Sequence, residues 1–344
     1  MIRPHFLRRT KEQILSKLPP KHELIVPVSM TQLQRQMYRA TLSKNLELLR
    51  SIQSAIQKNE GSEGGSVEGA KRRGRQNPRL HNLLMEIRKI INHPYMIHGV
   101  EPIFGTQEET HRQLVQASGK FKLLQILLAE LRDRGHRVLI FSQFKRTLDI
   151  IEDMLYGEKY TYVRMDGDTS NLDRQRCVDD FNAQDSSIFA FLSTTRSGGV
   201  GLNLTSADAV IIFDPDWNPH MDIQALSRAY RIGQKKPVTV FKLMTKDSAE
   251  ERIVRVGAKK MLLDHVLIET LGHENDQDEM ASRDIETALR HGAELLFGEN
   301  AEESASCREV VYNKARVDAL LDECEKALKE AEKQRDTRFA SADE

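Results

Sequence analysis

From Gly119 to Lys246, short continuous apolar runs alternate with helical segments, and this alternation constrains the fold more than any other feature of the chain. The runs are Val138–Phe141, Tyr160–Met165, Ile188–Leu192, Ala209–Phe213 and Val238–Leu243. Helical spacing of apolar residues falls between them, at 120–134, Thr147–Leu155, Leu172–Phe181 and from Pro219 onward. A strand that is apolar at nearly every position needs both of its faces covered. The pattern therefore predicts five parallel strands in one α/β domain, with helices on both faces of the sheet.

The flanks read differently. Residues 29–58 carry Leu33, Met37, Leu42, Leu46 and Leu49 along one side of a predicted helix. Composition then predicts a flexible linker over 59–77, beginning near Gly61-Ser62-Glu63-Gly64-Gly65-Ser66. Within it, Lys71-Arg72-Arg73-Gly74-Arg75 suits DNA phosphates or a nuclear address, and equally a plain basic loop. A second helix is expected over Pro78–Ile91, followed by a loop over 99–117. After the sheet, a long helix over Ser248–Leu271 leads to an acidic linker, His273–Glu279, and two further helices near 283–297 and 308–335.

The formal net charge is zero, but the charge is unevenly placed. Residues 1–100 hold 18 Lys/Arg against 7 Asp/Glu, while residues 272–344 hold 10 against 20. A basic front suits a polyanion, and an acidic tail suits histones or self-shielding; solvated helix surface accounts for either. No stretch approaches the roughly 18 uninterrupted apolar residues of a membrane span, and the start lacks the apolar run of a secretory signal. Cys177, Cys307 and Cys324 are odd in number and far apart, matching neither a disulfide framework nor a zinc site.

Three segments carry chemistry. The first runs from Trp217-Asn218-Pro219 to Gly233-Gln234 and is expected to be one helix, capped by Asn218 and ended by Gly233. On such a helix Gln224, Arg228 and Arg231 fall at i, i+4 and i+7 and share a face. Two guanidiniums on one face repel unless an anion or an acid lies opposite, and a phosphoryl group in transfer is such an anion. An isolated R-x-x-R is ordinarily a solvated surface pair, but here the helix follows the carboxyl end of a buried strand, where α/β sheets put ligands.

The second segment, Thr194-Thr195-Arg196-Ser197-Gly198-Gly199-Val200-Gly201, suits close approach of backbone N–H groups to an anion, or simply a tight loop. In the third, Arg164-Met165-Asp166-Gly167-Asp168-Thr169-Ser170, Gly167 and Thr169 suit a phosphodiester, or a plain capped turn. No G-x-x-x-x-G-K-[ST] occurs; Ser118-Gly119-Lys120-Phe121 lacks both the upstream glycine and the hydroxyl. These 344 residues alone make no complete phosphate cradle.

Taken in order, these segments resemble the second RecA-like lobe of superfamily-two helicases: VLIFSQF (138–144), Arg164–Ser170, Thr194–Pro219 and Gln224–Gln234. FDPDWNP (213–219), SRAYRIGQKKPV (227–238), LRRTKEQILSKLPPK (7–21), INHPYMI (91–97) and SGKFKLL (118–124) resemble the Swi/Snf-like remodelling ATPases in particular. AEERIVRVGAKKMLLDHVLIETLG (249–272) and DIETALRHGAELLFGEN (284–300) are most similar to the chromodomain-helicase-DNA-binding branch.

The resemblance implies a RecA-like parallel sheet with a helical insertion and a helical C-terminal extension. Its segments would be 1–28 between lobes, 29–118 a helical protrusion, 119–271 the helicase C-terminal lobe with a brace helix, and 272–344 an acidic extension. It implies that Arg228 and Arg231, supported by Gln224, complete ATP hydrolysis across a lobe interface, with Mg2+ held mainly by an N-terminal ATPase lobe. Gly199 and Gly201 would line the nucleotide side, while Gly167, Thr169, Thr195 and Trp217 would meet DNA. The partners implied are double-stranded DNA, nucleosomes and histones, in the nucleus. Tyr230 departs from the family's usual histidine, and Ser193 from the usual apolar end of a buried strand. Two other functions stay open: a non-catalytic DNA- or nucleosome-binding fragment, and an ATPase of the same superfamily acting on RNA or damaged DNA.

Overall fold

The computed structural model describes residues 18–45, 78–102, 105–196, 202–270 and 310–340. Its centre is built from β1 (Lys21–Val28), β2 (Val138–Ser142), β3 (Tyr162–Met165), β4 (Ala190–Thr194), β5 (Ala209–Ile212) and β6 (Val238–Thr245). All pairings are parallel, in the order β1-β6-β5-β2-β4-β3. The five expected strands are present. The sixth, β1, was expected only as part of an inter-lobe segment.

Strand β1 escapes a periodicity reading because it is half exposed and contains charges and a proline. It pairs with β6 from Lys21 opposite Val238 to Val28 opposite Thr245. At the sheet edge Pro27 is tolerated, since a missing N–H there interrupts no ladder. Glu23 binds Lys21 and Lys242, each at 2.7 Å, which helps hold the strand in register.

Both faces of the sheet are buried, as the apolar runs predict. In β2, Val138 and Ile140 enter one core, and Leu139 and Phe141 enter the other. The first core is closed by α4 (Gly119–Asp133) and α5 (Lys145–Gly157), through Phe121, Leu124, Leu148 and Ile151. The second is closed by α6 (Asn171–Asn182) and α7 (Pro219–Leu226), through Val178, Phe181, Ala225 and Leu226.

Beside this lobe, α1 (Gln32–Lys44) and α2 (Pro78–Asn92) share a third core containing Tyr38, Leu42, Leu84 and Ile87. Thr31 and Gln34 form a capping box that starts α1. The linker at 59–77, its basic run and the end of the helix anticipated over 29–58 lie outside the described residues. The anticipated loop over 99–117 instead contains α3 (Gln107–Ala117), capped by Thr106 and buried through Leu114 and Val115.

The long helix α8 (Ala249–Thr270) starts as expected. The acidic linker and the helix anticipated near 283–297 are outside the described residues. Helix α9 (Lys314–Ala340) packs on the lobe, with Val317, Leu321 and Cys324 in the first core. Arg134 at the end of α4 binds Asp318, Asp322 and Glu325 at 2.6–2.8 Å, one charge gripping successive turns of α9. Among the described residues, no helix is long and apolar enough to cross a membrane.

Candidate functional site

A parallel sheet delivers the turns after its strands to one edge. That carboxyl edge receives Gln143 after β2, Asp166–Thr169 after β3, Thr195 after β4 and Asp214–Trp217 after β5. Gly167, Thr169, Thr195 and Trp217 are thus brought to the same side of the molecule.

The turn after β3 is locally complete. Asp166 N donates to Thr169 Oγ1 (3.0 Å), Asp168 N donates to Asp166 Oδ1 (2.9 Å), and Ser170 caps α6. Gly167 is exposed, and a Cβ there would meet only the tip of Lys145 at ordinary contact distance, so packing does not require glycine. Arg174, which the motifs did not single out, donates to the carbonyls of Thr169 (2.9 Å) and Asp166 (3.1 Å), which places a positive charge beneath the turn.

Thr195 is 6% exposed, and its Oγ1 has no hydrogen-bond partner among the described residues. Ser193, the departure in β4, is 1% exposed and donates to Thr194 O (3.3 Å), which accommodates the hydroxyl within the strand end. Trp217 is half-buried against the α1–α2 core.

The turn after β5 holds an acidic group whose role no sequence motif separated out. Asp214 accepts from Gln143 N at 3.1 and 3.2 Å, and Arg88 of α2 lies 3.8 Å away while donating to Pro215 O (3.0 Å). Burial pushes the Asp214 carboxyl up to about 6 despite the pull of Arg88 and Lys120. Burial pushes Asp222 up to about 7, against the Asp216 N–H that it accepts and with the Asp216 charge adding to the rise.

The arginine segment corrects the sequence reading. Helix α7 stops at Leu226, so Gln224 lies on the helix while Arg228 and Arg231 lie beyond it, and the expected face at i, i+4 and i+7 does not exist. Arg228 N donates to Ala225 O (3.1 Å) and Ala229 N to Leu226 O (3.1 Å). This three-residue tightening ends the helix and keeps positions 228 and 231 close to one side. Gly233, expected as a helix cap, instead turns the chain toward β6 with φ +104°.

The location is corrected too. Leu204 N donates to Arg228 O (3.0 Å), and Arg231 Nη1 donates to Leu202 O (3.5 Å). Gln234 Nε2 donates to Ala207 O (2.8 Å), just ahead of β5. Having started at the carboxyl edge, α7 has crossed the sheet, and the arginines sit toward the amino ends of β5, β6 and β1. Burial lowers the Arg228 pKa, and the charge of Arg231 lowers it further. No carboxylate among the described residues pairs with Arg228. Gly199 and Gly201 lie outside the described residues, between Arg196 and Leu202.

Among the described residues, no cluster of three or more His, Cys, Asp or Glu suits a metal ion.

A six-stranded parallel sheet with helices on both faces matches the C-terminal lobe of SWI2/SNF2 ATPases. Residues 119–233 match the Helicase conserved C-terminal domain, and residues 1–96 match the SNF2-related domain. The chain thus carries stretches similar to both domains, and the relatives it matches are chromatin-remodelling factors, CHD3-type members included.

It is 44% identical over all 344 residues to chromatin remodeling factor mit1 of Schizosaccharomyces pombe, covering 22% of that protein. The chain spans about a fifth to a quarter of the length of such relatives. The C-terminal part of the Fun30 ATPase domain superposes with a TM-score of 0.60 and 29% identity, over 79% of this chain and 98% of that one. The Sulfolobus solfataricus SWI2/SNF2 ATPase core in complex with dsDNA gives 0.57 and 30%, over 84% of this chain and 54% of that one.

Proposed function

We propose that the chain is the second motor lobe of an ATP-dependent DNA translocase that remodels nucleosomes in the nucleus. The observation that carries this reading is the half-buried Arg228, depressed by burial and by Arg231 and lacking a carboxylate partner among the described residues. Desolvating a guanidinium beside a like charge is costly unless an anion arrives. In this reading the anion is the terminal phosphate of ATP, presented by an N-terminal lobe that also holds Mg2+. The metal would neutralise phosphate charge there. Arg228 and Arg231 close over the equatorial oxygens, supported by Gln224, and Gly199 and Gly201 would line the nucleotide side.

DNA backbone would lie along the other edge, against Gly167, Thr169, Thr195 and Trp217. Closure on the nucleotide at one edge then shifts the DNA grip at the other, and alternating closure and opening moves the duplex past histones. Residues 29–118 would act as the protrusion and α8 as the brace, with β1 belonging to the lobe itself.

The test is ATP turnover of the full-length protein with DNA or nucleosomes. Arg228→Ala and Arg231→Ala should each lower kcat by about 10³ or more, while DNA affinity stays within a few-fold. Unchanged turnover in both variants removes the assignment.

A further inference from the structure

Three successive carbonyls ahead of β1 each accept a hydrogen bond from a different part of the fold. Leu18 O accepts from Arg335 Nη1 of α9 (2.8 Å), Pro19 O from the Tyr230 hydroxyl (2.9 Å), and Pro20 O from Val238 N at the start of β6 (3.1 Å). The ammonium of Lys21 adds a contact 5.7 Å above the Tyr230 ring. Tyr230 and Pro19 are 211 residues apart in the chain.

This segment is suited to transmit force. Two consecutive prolines fix their own φ angles, so a displacement upstream is passed on rather than absorbed. Tyr230 lies between Arg228 and Arg231, just past the three-residue tightening that ends α7, and its N donates to Leu226 O (3.0 Å). Its ring also packs on the second core, beside Ala229 and Leu226. A phenol reaches farther from the backbone than an imidazole and ends in a hydroxyl that donates along its own axis. The contact with Pro19 O therefore depends on the particular shape of the tyrosine.

We propose that Tyr230 is a positioning residue that ties the arginine loop to Leu18-Pro19-Pro20, so that movement of the chain entering β1 sets where Arg228 and Arg231 point. Arg335 holds the same segment at Leu18 O, making α9 part of the tether. The inference rests on the arginine pair acting on nucleotide.

The test uses the full-length protein with saturating DNA, with rates normalised to the folded fraction. Tyr230→Phe removes the hydroxyl and keeps the ring. It should lower kcat for ATP about fivefold, the size of one neutral hydrogen bond, with KM for ATP within about twofold. Arg335→Met should move kcat in the same direction, and the double variant should fall short of the product of the two effects, because both bonds hold one segment. Unchanged kcat in Tyr230→Phe, or fully multiplicative effects in the double variant, overturns the tether. Arg228→Ala in the same assay separates the two ideas. Loss in Arg228→Ala with full turnover in Tyr230→Phe removes the tether alone, whereas full turnover in both removes the arginine reading and the tether with it.

Discussion

Lys120 Nζ lies 2.7 Å from Glu250 Oε1, and both side chains are sealed from solvent. The same ammonium donates to Phe213 O (2.8 Å) and to Asn92 Oδ1 (3.2 Å), and Glu250 Oε2 accepts from Thr245 N (2.7 Å). One buried pair therefore joins the end of α2, the start of α4, the exit of β5 and the first turn of α8. The Gly-Lys that fails as a phosphate loop in the sequence is a junction between the lobe and the helices beside it.

Replacing Lys120 by Met leaves Glu250 buried without its cation. The 344-residue chain should lose about 3–5 kcal/mol of stability in urea denaturation. The double variant Lys120→Met, Glu250→Leu should recover part of that loss, because the uncompensated charge is gone. A single variant as stable as the parent would show that the pair contributes nothing net.

Gly119 has a separate reason to be glycine. A Cβ there would lie 2.0 Å from Ser29 O, a backbone atom that cannot swing aside. Gly119→Ala must push the end of β1 away from α4, at a cost of about 1–3 kcal/mol for overpacking. The urea midpoint should fall, whereas Gly167→Ala, with only ordinary contacts around its new methyl, should leave it nearly unchanged.

Asp222 makes a pH prediction. Its folded pKa is pushed up to about 7, from an ordinary aspartate value of 3.8, chiefly by burial. In the window between these values the folded state holds a proton that the unfolded state has released, so the contribution of Asp222 to stability falls as pH rises. Asp222→Asn removes that titration. Relative to the parent, the variant should gain roughly 2–4 kcal/mol between pH 4 and pH 7.5, and level off above. Parallel stability curves for the two proteins would contradict this.

Thr195→Val keeps the shape and removes the buried hydroxyl that lacks a partner among the described residues. Folding stability should hold or rise slightly. Affinity of the full-length protein for DNA should drop about fivefold, one neutral hydrogen bond's worth. A salt titration of binding should keep its slope, because no charged phosphate contact has been deleted. Unchanged affinity would leave the hydroxyl without a DNA role.

The alternation of apolar runs and helices was legible because burial on both faces demands apolar residues along β2, β4 and β5, with hydroxyls only at the carboxyl ends of β2 and β4. The identity of the arginine segment was also legible, but its shape was not. Nothing local to residues 219–234 announces that the helix ends at Leu226, since the tightening bonds there depend on Leu204 holding Arg228 O from another loop. Arg174 escaped notice because its partners are backbone carbonyls, which leave no pattern in side-chain chemistry.

By itself, then, the sequence determined a parallel sheet buried on both faces, the SNF2-like order of motifs and the presence of two arginines without a phosphate loop. Tertiary structure alone decided that residues 21–28 complete the sheet, that the arginines lie toward the opposite edge from Thr195, and that α9, Tyr230 and β6 each hold one of three successive carbonyls. The physical reason is one of range. Side-chain periodicity reports how much of a segment is buried, whereas an edge strand, a helix end or a hydrogen bond spanning 211 residues depends on which donors and acceptors the rest of the fold leaves open.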